Sequence, residues 1–330
     1  MKRLAFASLF ALSFLFGSLA HAEEVVIKLG TVAPRGSTWH TILQEMGQKW
    51  SEASGGLVKL KVYPGGTLGN EGDMVKKMRI GQLQSAALTT IGLHEISPDP
   101  QAIDVPLMVD SFATYDYIIG KLRPRLEKAL YDKGYVVLNW AEVGFVRLFS
   151  TKRYSTMAEF QSAKVFTWEG DPGSADAWRA AGFHPVVLSS TDIVPSLNTG
   201  LIDTVAMAPL YAFQSRIFEK AKYMLDLPWS ILTGATVVKK DAWDKIAPDV
   251  QKKLLAIADD YGKRVATEVR RMDSEALSTM KQQGLTLVPP GDPAQFARAA
   301  EASHKVIRGR VVPEGIFDEV ARLSKEAHKK

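Results

Sequence analysis

Apolar positions along the chain switch repeatedly between two spacings. Residues 25–31 (VVIKLGT) read as a strand, and after Ser37 the apolar side chains Trp39, Ile42, Leu43, Met46 and Trp50 follow the 3.6-residue period of a helix. Residues 57–63 alternate apolar and polar, which predicts a strand with one exposed face. The turn cluster 64–69 follows, and Asn70 is placed to cap a helix through Met74 and Met78. Strand, turn and helix continue through 85–90, 114–132 and 135–140. A second series opens near Phe145. Thr156 and Glu159 have capping-box spacing, 163–168 and 184–188 read as strands, 174–181 as a helix, and 203–207 and 223–227 as further short strands.

Beyond 229–239 the texture changes. Residues 248–283 carry no internal Pro and an apolar stripe at Leu254, Ile257, Ala258, Tyr261 and Val265, with Gly284 placed to stop the helix. About 36 residues at 1.5 Å each give roughly 50 Å, so this helix has to run across more than one lobe. Helices over 293–306 and 313–329 end the chain. The pattern predicts an α/β fold, and no internal repeat or low-complexity segment is present.

The first residues are of another kind. Lys2 and Arg3 precede an apolar run from Leu4 to Leu19 and then Ala20-His21-Ala22, the pattern of a secretory signal peptide cleaved after Ala22. The run is too short for an ordinary membrane span, and no later stretch is apolar enough, so the exported product is expected to be soluble and periplasmic. Without Lys2 and Arg3 the formal charge falls from +5 to +3. The basic residues are interspersed with acids, as solvated helix faces are, which argues against nucleic acid as a partner. The absence of cysteine removes disulfides, thiolate metal sites and cysteine nucleophiles together.

The order of several segments resembles the solute-binding subunits of tripartite ATP-independent periplasmic (TRAP) transporters, the C4-dicarboxylate-binding-protein-like family. The matching segments are Gly30-Thr-Val-Ala-Pro-Arg-Gly-Ser37, Tyr63-Pro-Gly-Gly-Thr-Leu-Gly-Asn-Glu71, Ile80-Gly-Gln-Leu83, Val105-Pro-Leu-Met108, Ala158-Glu-Phe-Gln-Ser-Ala-Lys164 and 191–203 (TDIVPSLNTGLID). The resemblance implies a two-lobed periplasmic binding protein fold with an interlobe cleft and a long helix bracing both lobes. Residues 23–144 plus about 230–270 would form one lobe, and 145–229 plus about 271–330 the other. It also implies a small organic ligand, docking of the loaded protein on an ion-gradient-driven TRAP membrane permease, and no cofactor.

The family's usual ligand is an organic acid held by an Arg, since a planar guanidinium matches a carboxylate. Here Phe166 stands at the position of that Arg, and the turn after Asp203 reads Thr204-Val-Ala-Met-Ala-Pro209, bringing Met207 and Ala208 to the cleft in place of polar residues. Both departures point to an apolar or amphiphilic ligand, because a desolvated carboxylate without a cation costs several kcal/mol. Arg147 matches a second family Arg and has two readings: a substitute anchor, or a strand residue paired with Glu142 or another structural acid. Phe166 and Trp168 share strand parity and would form an aromatic wall, with Thr167 on the opposite face; core packing is the alternative. Trp39, Trp140 and Tyr211 are further aromatic candidates. Thr89 and Thr90 end a strand at the carboxyl edge where open α/β sheets present ligands, and Ser190 starts a helix, where capping is its ordinary role.

The five histidines after residue 22 lie far apart with no metal-type spacing, so no metal is expected. A secreted α/β enzyme is the rival class. No G-x-S-x-G, G-x-G-x-x-G or phosphate-binding loop supports it, and Asp104, Asp110 and Asp203 read as turn and cap residues. A receptor that presents its ligand to a sensor would share the binding chemistry.

Overall fold

The computed structural model describes residues 24–169 and 171–329; the segment 1–22, with its signal-peptide reading, lies outside the described residues. The first half of the chain contains β1 (Val25–Thr31), α1 (Thr38–Ala53), β2 (Val58–Tyr63), α2 (Glu71–Arg79), β3 (Ser85–Thr89), α3 (Thr90–His94), α4 (Phe112–Tyr131) and β4 (Tyr135–Ser150). There follow α5 (Met157–Phe160), β5 (Lys164–Trp168), α6 (Pro172–Ala180), β6 (His184–Leu188), α7 (Ile193–Thr199), β7 (Thr204–Met207), α8 (Pro209–Gln214) and β8 (Tyr223–Leu225). The last elements are β9 (Ser230–Lys239), α9 (Lys240–Trp243), α10 (Pro248–Gln282), β10 (Thr286–Val288), α11 (Pro293–Arg310) and α12 (Glu314–Ala327).

Local chemistry explains several boundaries. The Ser37 side chain accepts from the His40 N–H at the start of α1, whose buried stripe is Trp39, Ile42, Leu43, Met46 and Trp50. Asn70 with Asp73, and Thr156 with Glu159, form reciprocal capping boxes that pair N–H groups a helix start leaves open. Gly284, at φ +99°, follows the end of α10 in the left-handed conformation that terminates many helices.

The strands join in the order β2-β1-β3-β9-β4-β7-β5-β6, with β8 beside the end of β4 and β10 beside β8. β1, β2 and β3 are parallel, as are β5, β6 and β7, so each half of the sheet has its own parallel set. β9 and β4 run antiparallel between them and tie the halves together. The sequence pattern broke β4 in two, ending one strand at 140 and starting a new series at Phe145. The chain instead passes through both as one 16-residue strand. Bulges between Val137 and Asn139 and between Glu142 and Gly144 interrupt its pairing with β9, and Gly144 takes φ +121°, which a Cβ disfavours. Gly144 is a bend inside a continuous strand.

The long helix α10 packs on α1, on β4 and on α8, and so braces both halves. A Cβ on Gly262 would lie 2.8 Å from the Asn139 Cβ and 2.9 Å from the Trp140 carbonyl oxygen, so glycine is what lets this helix lie directly on β4. Helix α11 packs on α6 of the second half, whereas α12 returns to α4 of the first. Its apolar face, Ile316, Phe317, Val320 and Leu323, joins the cluster that includes Ile118, Leu122 and Leu126 of α4. The sequence-based division had placed all of 271–330 with the second lobe. Among the described residues no helix is long and apolar enough to cross a membrane.

Candidate ligand-binding site

A cavity of about 90 Å³ lies where the two halves of the sheet meet. Its walls come from both sides. Thr31, Ala33, Trp39 and Thr89 approach from the first half, Trp168, Met207 and Tyr211 from the second, and Ala141 and Gly234 from the two strands between. Tyr261 and Val265 of the bracing helix close it. A Cβ on Gly234 would stand 2.3 Å from the Leu88 carbonyl oxygen, so the close approach of β9 to β3 along this wall requires glycine.

Many donors on the walls are already used. The Trp39 Nε1–H donates to the Glu142 carbonyl (3.1 Å), Asn139 Nδ2 donates to the Ala258 carbonyl (3.0 Å), and the Thr89 hydroxyl donates to Glu71 Oε2 (2.8 Å). Glu71 also accepts from the N–H groups of Thr89 (3.0 Å) and Gly92 (2.8 Å). Burial raises its carboxyl above the usual range, and these three donors pull it back down. Glu142, the second acid on the wall, is also raised by burial and drawn back by Arg270, whose Nε donates to Glu142 Oε2 at 2.9 Å. The same guanidinium donates to Asp116 (2.9 Å) and lies 4.5 Å from the Phe112 ring centroid. No Lys, Arg or His lines the cavity among the described residues.

The sequence-based candidates divide. Trp39, Thr89, Trp168, Met207 and Tyr211 line the cavity. Phe166 does not. It is 2% exposed and lies beneath Trp168, the two rings meeting edge to face with centroids 5.1 Å apart. The rings of the two residues meet, and Trp168 lines the cavity while Phe166 does not. Trp140 faces the other side of β4, where its Nε1–H donates to Glu127 at 3.2 Å. Thr90 is buried and its hydroxyl donates to Asp104 instead of facing the cavity. Arg147 pairs with Asp226 at 3.2 Å and is not on the cavity wall; Glu142, named with it in the sequence reading, is held by Arg270. Ala208 precedes α8, buried against the Gly144 bend. Ser190 lines a small crevice beside the cavity and makes no side-chain cap.

Sequence reasoning missed Glu71, Asn139, Glu142, Leu232 and Val265, which also line the cavity. Glu71 stood in the quoted 63–71 segment, but nothing local marks it as the residue that points inward.

A solved structure of the sugar acid binding protein DctPAm from Advenella mimigardefordensis, in complex with galactonate, superposes with a TM-score of 0.86 at 16% identity, covering 92% of this chain and 99% of that one. At that identity the likeness speaks for the fold. The C4-dicarboxylate-binding periplasmic protein DctP of Rhodobacter capsulatus is 26% identical over 293 residues, 84% of this chain and 83% of the relative. The 2,3-diketo-L-gulonate-binding periplasmic protein YiaO of Escherichia coli K12 is 22% identical over 291 residues, 88% of each. The family model DctP, bacterial extracellular solute-binding protein family 7, matches residues 29–309, most of the chain. The chain therefore belongs to this family, the solute-binding subunits of TRAP transporters, which are receptors for transport and not enzymes.

Proposed function

We propose that this protein works in the periplasm after cleavage behind Ala22, captures a small solute with an apolar body between its lobes, and hands it to a TRAP membrane permease. The observation that carries the ligand class is the cavity wall. Its lining is largely apolar and includes Ile42, Leu43, Met46, Leu88, Leu232 and Val265, with no basic side chain among the described residues. An organic acid in such a place would lose its hydration without gaining a cation, at a cost of several kcal/mol. The missing family Arg at Phe166 and the engagement of Arg147 by Asp226 support the same reading. The relatives named for dicarboxylate and diketogulonate therefore share the fold and transport role, while the bound chemistry differs.

Calorimetry on ligand-stripped protein tests this. A six-carbon alcohol is expected to bind with a negative heat-capacity change, the mark of buried apolar surface, and galactonate is expected not to bind. Tighter binding of galactonate than of the alcohol would overturn the proposal.

A further inference from the structure

We infer that the solute's polar end is a cation, an amine protonated at neutral pH, and that Glu71 receives it. This rests on the apolar-cavity reading and adds the charge of the head group.

The first observation is that the charge on the cavity and on the crevice beside it has one sign. Beside the cavity, and sharing Val32, Glu71 and Trp168 with it, is the small crevice lined by Asn70, Glu95, Glu169 and Ser190. Glu169 is exposed there, so the crevice meets solvent. The charged side chains among the described residues lining crevice and cavity are all acidic: Glu71, Glu95 and Glu169 outside, Glu71 and Glu142 within. Glu142 is neutralised by Arg270. Glu71 has only neutral partners, the hydroxyl and N–H of Thr89 and the N–H of Gly92.

The second observation is an inventory of donors and acceptors. A carboxylate offers about four lone-pair positions, and the three bonds to Glu71 place one on Oε1 and two on Oε2. A further position on Oε1 is left for a ligand donor. Three of the wall's donors, on Trp39, Asn139 and Thr89, already donate to protein acceptors. A carboxylate ligand would meet neither a cation nor a free donor from these three groups, and would stand against Glu71. An ammonium would meet an acceptor with no other cation on it. Burial raises the Glu71 carboxyl, and a cation docked beside it favours the ionised form. Acids at the crevice would also draw a cation inward and repel an anion.

The test uses one apolar body with three heads: hexylamine, 1-hexanol and hexanoate. Affinity is read from the fluorescence of the stripped, signal-free protein, whose Trp39 and Trp168 line the cavity. Hexylamine is expected to bind about tenfold or more tighter than hexanoate, because like-charge juxtaposition is costly. Its association rate is expected to fall as salt rises, while that of hexanol stays flat. Glu71→Gln is expected to bring the amine-to-alcohol ratio close to one. The salt dependence in the unmutated protein keeps the test decisive if that variant folds poorly. Hexanol or hexanoate binding as tightly as hexylamine overturns the inference and leaves the apolar-body reading standing. Failure of all three to bind overturns both.

Discussion

Replacing Arg270 by methionine is expected to cost about 3 kcal/mol of folding stability, within the range for stripping one partner from a buried ion pair. Glu142 is only 3% exposed, so without the guanidinium its charge has neither water nor a counter-ion. The loss should depend on pH. Burial already raises the Glu142 carboxyl above its unfolded value, with Arg270 opposing the shift. A raised acid binds its proton more tightly in the folded state, so its contribution is fully present below the unfolded pKa and is lost as pH rises through the folded one. Removing Arg270 raises the folded value further. The deficit of Arg270→Met should therefore be small near pH 4 and grow toward pH 8. Glu142→Gln combined with Arg270→Met should recover part of it, because the pair then leaves no buried charge. Denaturant melts of the unmutated protein and the two variants at both pH values check this; a deficit independent of pH would mean that the methionine acts through packing alone. Binding should weaken as well, since Glu142 holds Trp39 on the cavity wall through its carbonyl.

The second large effect separates two neighbouring aromatics. Phe166→Ala should cost about 3–5 kcal/mol of stability, the usual range for emptying a buried Phe site, while affinity in the folded protein changes little. Trp168→Ala should do the reverse, raising Kd about tenfold or more, which is 1.4 kcal/mol or more of lost binding, at a smaller cost in stability. Phe166 is buried in the second-half cluster, and Trp168 is only partly buried and faces the ligand space. Paired chemical denaturation and ligand titration distinguish the two. Loss of binding in folded Phe166→Ala equal to that of Trp168→Ala would place residue 166 in the site.

Local chemistry explains which parts were legible in the chain. The stripe on α1, the capping boxes at Asn70 and Thr156, and the uninterrupted α10 depend on residues within a few positions of each other, and the helix length alone implied a brace across both lobes. Strand β4 was not legible as one element. Its bend uses Gly144, and each bulge inserts a residue that turns later side chains to the other face. That is why Trp140, an aromatic in a strand that borders the cavity, ends against Glu127 on the far side. Parity put Phe166 and Trp168 on one face and left cleft and core open as readings, because strand alternation gives a face but not what lies over it; Phe166 is buried and Trp168 lines the cavity. Glu71 and Glu142 were invisible as site residues for a related reason. Their roles depend on Thr89, Gly92 and Arg270, which lie 18 to 128 positions away in the chain.

The central claim, a receptor whose solute has an apolar body, is tested most directly by native mass spectrometry of the mature protein taken from the periplasm. The complex is then denatured and the released molecule identified. The account predicts one molecule per chain with a hydrocarbon or aromatic body. Release of a dicarboxylate or a sugar acid would contradict it.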